Sequence, residues 1–335
     1  MNIRNSSRLA RPAVAGACLL AGLMAFSGCK QSQPSDRSSQ GPAGGTVANL
    51  VAIISPAKTS EFHNILPAGA AAEAKKLGWP AIIDKAPAKE SDYAQQVALV
   101  QDIIQQRPAA ISVCGVNPQA LTSIIEKANG ANIPVFVHNQ ITPVPGGKVV
   151  SYIGYSERKG GALCGEKAAE LLKQKYGDYK GTVAILDGEP GTHTDDRAGG
   201  FKEALQKYPG IKVVAELNGN WERAPSVSIT QDWLQRFGNL DVVFGCSDAM
   251  AQGAAEAGRQ KNHPLLTIGI DGNSTAIKDI KEGNLTATLY VGPWDIGAKI
   301  VDTMADYFKT GKVPQVVETE CLIVDKSNVA KYETK

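Results

Sequence analysis

Short apolar runs alternate with longer amphipathic segments along most of the chain. Residues 47–55 are apolar, β-branched and few, which is typical of a buried strand. Residues 61–77 are rich in alanine and are followed by Gly78, a common helix terminator. Residues 93–106 place their apolar side chains on one helical face and end shortly before Pro108. The pattern predicts successive strand–helix units.

The same alternation continues to the C-terminal region. Further strands are predicted at 81–83, 109–116, 133–138, 149–155, 182–187, 212–217, 241–246, 265–271, 286–291 and 316–324. Further helices are predicted at 119–129, 157–176, 195–208, 224–237, 249–260 and 295–308. Such alternation forms parallel sheets covered by helices on both faces. Because the strands are too many for one sheet, and 142–148 (TPVPGGK) interrupts them, we predict an α/β fold of two doubly wound parallel-sheet lobes.

The N-terminal region has a different pattern. A segment containing three arginines precedes an apolar run at 13–26, and Ser27 and Gly28 then lead into Cys29. This order is typical of an export signal and is too short for an ordinary membrane span. The ending resembles a bacterial lipoprotein signal, in which the cysteine is lipidated, although Phe26 replaces the usual leucine. An ordinary cleaved signal and an uncleaved anchor are the alternatives.

Residues 30–45 contain no large apolar side chain and are rich in Ser, Gln, Pro and Gly. Such a segment cannot bury enough surface to offset its ordering entropy. We therefore expect a signal peptide at 1–28, then lipidated Cys29 and a flexible linker over 29–45. The folded part would be anchored to a membrane by its lipid, in the periplasm or on the outer face of the cell membrane.

Composition excludes several classes of protein. The 335 residues are 43% hydrophobic and 20% charged, which is typical of a globular protein. The 35 basic and 33 acidic residues give a net charge of +2 without a basic block, so we expect no nucleic-acid partner. Four cysteines follow Cys29, namely Cys114, Cys164, Cys246 and Cys321. They contain no C-x-x-C pair, and the sequence does not determine which of them would form disulfides. We favour buried thiols for Cys114 and Cys246, which lie in apolar strands.

Polar residues follow most of the predicted strands. They are Ser55, Asn117, His138, Asn139, Gln140, Asp187, Asn218, Ser247, Asp248 and Asp271. Ligands of open parallel sheets bind beyond the carboxyl ends of the strands. The set therefore predicts a cleft between the two lobes. Because neither a phosphate-binding G-x-x-x-x-G-K-[ST] nor a G-x-G-x-x-G sequence occurs at a strand end, we expect no nucleotide cofactor.

The sequence contains candidate residues for two kinds of reactive site. Residues 245–249 (GCSDA) approach the nucleophile elbow of hydrolases, which makes Ser247 a candidate nucleophile. The catalytic triad of such hydrolases runs in the order Ser, acid, His, whereas here His263 precedes Asp271. We therefore interpret Ser247 as a helix cap and expect that the protein is not an enzyme. His63, His138 and His193 lack metal-ligand spacing, so we expect no metal. Whether these histidines converge is left open.

Several short sequences occur in a recognisable order. They are residues 77–78 (LG), 131–135 (ANIPV), Arg197 with 200–201 (GF), 243–244 (VF), 247–251 (SDAMA) and 269–272 (GIDG). From about residue 47 to 324 the chain thereby resembles the ribose and galactose type of periplasmic sugar-binding protein of ABC transporters.

The resemblance implies two lobes joined by a three-crossing hinge near 154–155, 291–292 and 320–321. Residues 46–154 plus 292–320 would form the N-terminal lobe, and 155–291 plus 321–335 the C-terminal lobe. A disulfide between Cys164 and Cys321, near this hinge, is left open.

The resemblance also implies ligand-binding residues. Arg197 would donate to sugar hydroxyls, Asp271 would accept from them, and Trp221 and Phe62 would stack on the sugar. Other implied positions depart from the family pattern: His138 and Asn139 replace Asp-Arg, Glu61 an aromatic residue, Ser247 asparagine and Val291 glutamine. We therefore expect a ligand other than ribose and leave a sugar acid or phosphorylated compound open.

These expectations combine into one function. The protein would be a monomeric extracytoplasmic lipoprotein that captures a carbohydrate-like molecule and delivers it to the membrane subunits of an ABC permease. A sensory binding protein serving a kinase or chemoreceptor is the alternative, and a secreted hydrolase using Ser247 is a weaker one. Transcriptional repressors share this fold, but here an export signal stands where their DNA-binding segment would be.

Overall fold

The computed structural model describes residues 50–115 and 117–332. The predicted signal peptide, Cys29 and the linker lie outside the described residues. Within them the strands are β1 (Val51–Ile54), β2 (Ile83–Lys85), β3 (Ala110–Val113), β4 (Val135–His138), β5 (Ser151–Gly154), β6 (Lys180–Asp187), β7 (Gly210–Asn218), β8 (Val242–Gly245), β9 (Leu266–Asp271), β10 (Ala287–Tyr290), β11 (Val316–Glu318) and β12 (Leu322–Asp325).

Helices connect most of these strands. In chain order the α-helices of the described part are α1 (Phe62–Lys76), α2 (Tyr93–Gln105), α3 (Pro118–Gly130), α4 (Glu157–Tyr176), α5 (Thr192–Leu205), α6 (Arg223–Arg236), α7 (Asp248–Gln260), α8 (Ser274–Glu282) and α9 (Pro293–Thr310). None of the helices in this part of the chain is long and apolar enough to cross a bilayer.

The strands form two six-stranded sheets. The order of the first is β11-β5-β4-β3-β1-β2, and the order of the second is β12-β10-β9-β8-β6-β7. Neighbouring strands run parallel in both sheets, except that β12 pairs antiparallel with β10. The predicted α/β fold with two parallel-sheet lobes is confirmed. We call the lobe of the first sheet the N-terminal lobe and that of the second sheet the C-terminal lobe.

Each lobe has a core on both faces of its sheet. In β1, Ile53 packs into the cluster that contains Leu66 of α1 and Ile300 of α9, whereas Ile54 packs with Ile124 of α3 on the opposite face. Successive side chains of a strand point to opposite faces, so a strand buried on both sides must be apolar throughout. Burial of each large aliphatic side chain contributes about 1.5–3 kcal/mol. This requirement explains the continuous apolar runs of the sequence.

The chain passes between the two sheets at three places: between β5 and α4, between β10 and α9, and between β11 and β12. The last passage corrects the secondary-structure prediction, because residues 316–324 are not one strand. Val317 pairs with Ile153 of the first sheet, whereas Ile323 pairs with Leu289 of the second. One apolar run can therefore belong to two cores when polar residues divide it.

A second correction concerns helix α8, for which the pattern gave no bounds. This helix has nine residues and presents only Ala276, Ile277 and Ile280 as buried side chains. It ends at Gly283, whose φ of +84° is a left-handed conformation that glycine adopts without strain. Three apolar side chains in nine residues are too few for a helical periodicity to be recognised in the sequence.

The four described cysteines are free thiols, and Cys114, Cys164 and Cys246 are buried. The interpretation of Cys114 and Cys246 as small buried hydrophobic residues is thus confirmed. Cys164 and Cys321 do not form a disulfide in this structure. Stability of the described part therefore comes from its two cores rather than from cross-links.

Candidate ligand-binding cleft

A cavity of about 420 Å³ lies between the lobes, at the carboxyl ends of the parallel strands and the N-terminal ends of several helices. The N-terminal lobe contributes the start of α1, Cys114 after β3 and Asn139 after β4. The C-terminal lobe contributes residues of α5, the start of α7 and Asp271 at the end of β9. This is the edge at which parallel sheets bind ligands, because their helix N-termini and polar loops meet there.

Most of the predicted ligand residues line this cavity. They are Glu61, Phe62, Asn139, Arg197, Trp221, Ser247 and Asp271. His138 is fully buried beside the cavity and shares a 2.8 Å hydrogen bond between its Nδ1 and Ser112 Oγ. Val291 is 1% exposed and belongs to the core. The structure therefore places these last two residues outside the lining.

Arg197 is the central cation of the site. Its Nε donates to Glu157 Oε1 at 2.9 Å, and its Nη1 donates to the carbonyl of Cys246 at 2.8 Å. The carboxylate of Asp271 lies 3.6 Å from the same Nη1. Since Arg197 is only 3% exposed, an unpaired guanidinium would be costly, and these partners offset its desolvation. They also fix its orientation toward the cavity.

His193 lies beside Arg197 and is a second cation. Its Nδ1 is 2.8 Å from Glu157 Oε1, and its Nε2 is 3.6 Å from the sulfur of Cys114. Burial lowers the pKa of His193, but the Glu157 carboxylate and Cys114 outweigh it and raise the pKa to about 10. Both ring nitrogens therefore donate at neutral pH. Because Cys114 belongs to the other lobe, this contact crosses the cleft.

Glu157 holds the two cations together from helix α4. Burial raises its pKa, but His193 and Arg197 lower it further, so the net pKa lies below the usual value and the carboxylate is charged. Close helix packing makes this geometry possible. A Cβ atom on Gly161 of α4 would lie 2.0 Å from the carbonyl oxygen of Arg197, and one on Gly200 would lie 2.0 Å from that of Arg158. Only glycine permits α4 and α5 to approach this closely.

Asp271 is the buried carboxylate opposite Arg197. Burial, followed by the nearby Asp248 carboxylate, raises its pKa well above the usual range, and Arg197 opposes part of that shift. The backbone nitrogen of Asp248 and the side-chain nitrogen of Asn273 donate to its Oδ2, each at 3.4 Å. A carboxyl held in this way is preorganised to exchange hydrogen bonds with a bound molecule.

Backbone strain is concentrated around the cavity. Asn139, Asn220, Trp221 and Asp271 have φ values of +63°, +57°, +60° and +138°. For residues with a Cβ atom such conformations cost of order 1–3 kcal/mol each and persist only when surrounding contacts enforce them. Four such residues in one lining indicate that the fold holds these side chains in place for binding rather than for stability.

Each lobe supplies an aromatic ring. Phe62 of the N-terminal lobe packs edge-on against His63, with ring centroids 5.1 Å apart. Trp221 of the C-terminal lobe lies against the backbone of Gly188, where a Cβ atom would be 1.9 Å from the indole, and 5.4 Å from the guanidinium of Arg197. The buried indole Nε1 has no hydrogen-bond partner among the described residues. The cavity thus combines apolar surfaces with polar atoms that are still able to bond.

Direct contacts across the cleft make this a closed arrangement. The carboxylate of Glu61 accepts hydrogen bonds from the hydroxyl groups of Ser274 and Thr275, at the start of α8. Thr142 Oγ1 donates to Asp196 Oδ2 at 3.0 Å. Glu61 therefore lines the cavity but directs its oxygens toward the opposite lobe.

Ser247 is the N-cap of helix α7. Its side-chain oxygen accepts a hydrogen bond from the backbone nitrogen of Met250 at 3.4 Å. The interpretation of Ser247 as a helix cap is confirmed, and its hydroxyl serves the helix terminus.

The three histidines near the cleft have separate partners. The nearest carboxylate to His63 is Glu90, with Nε2 and Oε1 3.8 Å apart, whereas His138 bonds Ser112 and His193 bonds Glu157. Burial, and then the neighbouring His193, lowers the pKa of His138 to about 3. Across residues 50–115 and 117–332, no group of three or more His, Cys, Asp or Glu side chains has the arrangement of a metal site.

Sequence reasoning missed several residues of the lining: Lys89, Glu90, Asn220, Glu222, Gln252 and Asn273. Lys89 and Glu90 lie in the connection between β2 and α2, and Glu222 lies just before α6. The sequence offered a signal for Asn273 alone among these residues, because it lies two positions after the strand end at Asp271. Residues in long connections reach the cavity through tertiary packing, which no local pattern records.

Comparison with known proteins agrees with this geometry. Residues 51–312 match the family model described as "Periplasmic binding protein domain". The ribose import binding protein RbsB of Bacillus subtilis is 32% identical over 256 residues, which cover 76% of this chain and 79% of that protein. The D-apiose import binding protein of Actinobacillus succinogenes is 28% identical over 288 residues, covering 84% and 90%.

A solved structure gives the same result. An ABC transporter periplasmic solute-binding protein from Actinobacillus succinogenes, with bound D-allose, superposes with a TM-score of 0.78 at 28% identity. The match covers 85% of this chain and 100% of the solved one. The resemblance inferred from the sequence is confirmed, and the chain belongs to the periplasmic binding protein family.

Proposed function

We propose that this protein captures a sugar or sugar-like molecule in the interlobe cavity and delivers it to an ABC importer. One observation carries the proposal: an aromatic ring from each lobe, Phe62 and Trp221, meets the Arg197–Asp271 pair in one closed cleft. A cyclic polyol has flat apolar faces and a rim of hydroxyl groups. Stacked rings and charge-assisted hydrogen bonds match those two features.

The relatives support a sugar ligand. Two of them are named for the import of ribose and of D-apiose, and a solved relative holds D-allose. Membership of a binding-protein family also means that this chain is a solute-binding protein and not an enzyme. The departures from the ribose pattern at Glu61, Asn139 and Ser247, which line the cavity, favour a sugar other than ribose.

Hinge closure is the proposed mechanism. The passages between the sheets, at 155–156, 291–292 and 319–321, would act as the hinge of lobes 46–154 plus 292–320 and 155–291 plus 321–335. A ligand that touches both lobes gains its full contacts only when they are closed, so binding shifts the population toward closure. The closed form would then be recognised by the permease.

The family implies a location outside the cytoplasm, and we propose lipid anchoring through Cys29 as its finer form. The sequence 30–45 would then tether a monomeric binding domain to the membrane surface near its permease. Mass spectrometry of the protein purified from membranes would test this. A diacylated N-terminal Cys29 is expected, and an unmodified chain cleaved elsewhere would contradict it.

A thermal-shift screen of the purified, processed protein tests ligand capture. The panel contains D-ribose, D-allose, D-apiose, D-arabinose, myo-inositol, sugar acids, sugar phosphates and zinc. A ligand at a hundredfold excess over Kd adds about 2.7 kcal/mol and raises the Tm by a few degrees. Asp271→Ala should abolish the shift, whereas Asp232→Ala, at an exposed position on α6, should retain it. Absence of any sugar-induced shift in the wild type would contradict the proposal.

A further inference from the structure

We infer that Glu90 is a specificity-determining ligand contact, whose carboxylate accepts a hydrogen bond from a hydroxyl group of an uncharged polyhydroxy ligand. This inference rests on the proposed function and deepens it. Glu90 lies in the connection between β2 and α2 and reaches the cavity from the N-terminal lobe. It thus approaches a bound molecule from a direction that the strand-end residues do not cover.

The carboxylate of Glu90 is confined but poorly partnered. Its side chain is 13% exposed, and its nearest titratable neighbour is His63, whose Nε2 lies 3.8 Å from Glu90 Oε1, too far for a hydrogen bond. Among the described residues no hydrogen-bond donor reaches it. Buried carboxylates are normally hydrogen-bonded, because leaving them unpaired costs free energy. Glu90 therefore has acceptor capacity that a ligand can use.

The other carboxylates of the lining are already engaged. Glu61 accepts from Ser274 and Thr275, Asp271 accepts from Asn273, and Glu222 Oε1 lies 3.5 Å from Lys89 Nζ. Glu90 is the exception in this group.

Each cation of the lining also has a carboxylate partner within the protein. Arg197 and His193 share Glu157, Lys89 faces Glu222, and Arg223 pairs with Glu256 at 2.9 Å. A sugar acid or phosphate would find no unpaired cation among these side chains and would meet Glu90. An uncharged polyol would instead donate a hydroxyl hydrogen to it. The charge distribution thus favours a neutral ligand over the anionic classes left open by the sequence.

The surroundings of Glu90 also raise the pKa of its carboxyl group. Burial, supported by Glu189 and Glu222 and opposed by His193 and Arg197, raises the pKa of Glu90 to about 7. Burial, and then His138 and His193, holds the pKa of His63 well below its usual value, so this neighbour is neutral. The titratable and charged groups facing Glu90 are His63, Tyr93, Glu189, His193, Arg197, Glu222 and Asp271.

A pH dependence follows from this property. A hydroxyl donor binds the charged carboxylate more strongly than the protonated acid. Binding therefore favours deprotonation of Glu90, and affinity should rise as the pH increases from 5.5 through 7 to 8.5.

Isothermal titration calorimetry with D-allose, D-ribose, D-apiose, D-arabinose, myo-inositol, D-ribonate and ribose 5-phosphate at pH 5.5, 7 and 8.5 tests the inference. For sugars that bind the wild type, Glu90→Gln should weaken binding about tenfold at pH 8.5, because the charge assistance is lost. It should also flatten the pH profile. Glu90→Asp should keep the profile with reduced affinity, and the exposed Glu126→Gln on α3 is the control.

The outcomes separate the two ideas. Equal affinity and pH profile in wild type and Glu90→Gln would overturn the role of Glu90 and leave sugar capture standing. Tighter binding of D-ribonate or ribose 5-phosphate than of the uncharged sugars would overturn the neutral-ligand assignment. A wild type that binds none of the sugars would overturn the proposed function and this inference with it. Circular dichroism and the Tm of each variant verify its folding.

Discussion

Thr275 Oγ1 of the C-terminal lobe donates a 2.5 Å hydrogen bond to Glu61 Oε2 of the N-terminal lobe, across the mouth of the cleft. The backbone nitrogen of Thr275 donates to the other carboxylate oxygen at 3.3 Å. A negative charge at the N-terminus of α8 is also favoured by the helix dipole. Because this contact joins the two lobes, it would stabilise the closed form in the proposed hinge motion, with or without a ligand.

Replacing Glu61 should therefore open the protein. Glu61→Ala removes the acceptor of these bonds and is expected to weaken ligand binding by about 5- to 30-fold, through loss of roughly 1–2 kcal/mol in the closed state. Small-angle scattering of the ligand-free variant should give a larger radius of gyration than the wild type. Glu73→Ala, which removes a surface ion pair on the same helix, serves as control. An unchanged radius and affinity would contradict the role of Glu61.

Loss of the Glu157 carboxylate should destabilise the fold. Glu157→Gln leaves Arg197 and His193 without their shared counter-ion, and breaking a buried ion pair typically costs about 3–5 kcal/mol. Urea unfolding monitored by circular dichroism measures the effect. Glu203→Gln breaks the exposed pair with Arg158 and should leave the free energy of unfolding almost unchanged, because solvent screens this pair. Equal losses in the two variants would refute the special role of Glu157.

The raised pKa of His193 predicts how stability changes with pH. The folded-state pKa is about 10, above the unfolded value of 6.5. The stabilising contribution of His193 is therefore fully present below pH 6.5 and is lost as the pH rises through about 10. The free-energy difference between wild type and His193→Asn, from urea unfolding at pH 6, 8 and 10, should shrink toward pH 10. A difference independent of pH would mean that His193 is neutral in the folded protein.

Trp221 should report ligand binding directly. Its indole lines the cavity, so a sugar stacked on it should change the intrinsic fluorescence. Trp221→Ala is expected to weaken binding by about 10- to 100-fold through loss of the apolar surface and the stacking contact, and Trp221→Phe by less. Trp294→Phe, at a position 44% exposed, should preserve both the affinity and the ligand-induced fluorescence change. Retention of that change in Trp221→Ala would place the ligand elsewhere.

Close packing of α4 and α5 can be tested with one methyl group. In Gly161→Ala the new Cβ would lie 2.0 Å from the carbonyl oxygen of Arg197, so the helices must separate. We expect a loss of about 1–3 kcal/mol in unfolding free energy and weaker ligand binding, since Arg197 moves with its helix. Gly130→Ala, where the new methyl group meets nothing within 4 Å, should be neutral or stabilising by up to about 1 kcal/mol. A neutral Gly161→Ala would show that the contact relaxes without cost.

Most of the fold could be predicted from the sequence because the strands are buried on both faces. Ile53 and Ile54 illustrate this: each faces a different core, so both must be apolar, and the run is visible locally. The division of residues 316–324 between two sheets could not be predicted, because Val317 and Ile323 differ only in the distant strand that each one pairs with. Helix α8 was too short for its periodicity to fix its bounds.

The sequence by itself determined the two-lobed α/β architecture. Polar strand-end residues such as Asp271 also determined the sheet edge at which the cleft lies. Local patterns suffice there because burial and chain direction act on consecutive residues. Only the tertiary structure decided that Glu157 binds His193 and Arg197, that Glu61 closes on Thr275, and that Glu90 enters the cavity. These relationships join residues distant in sequence, and their energies depend on burial and distances that arise when helices and lobes pack together.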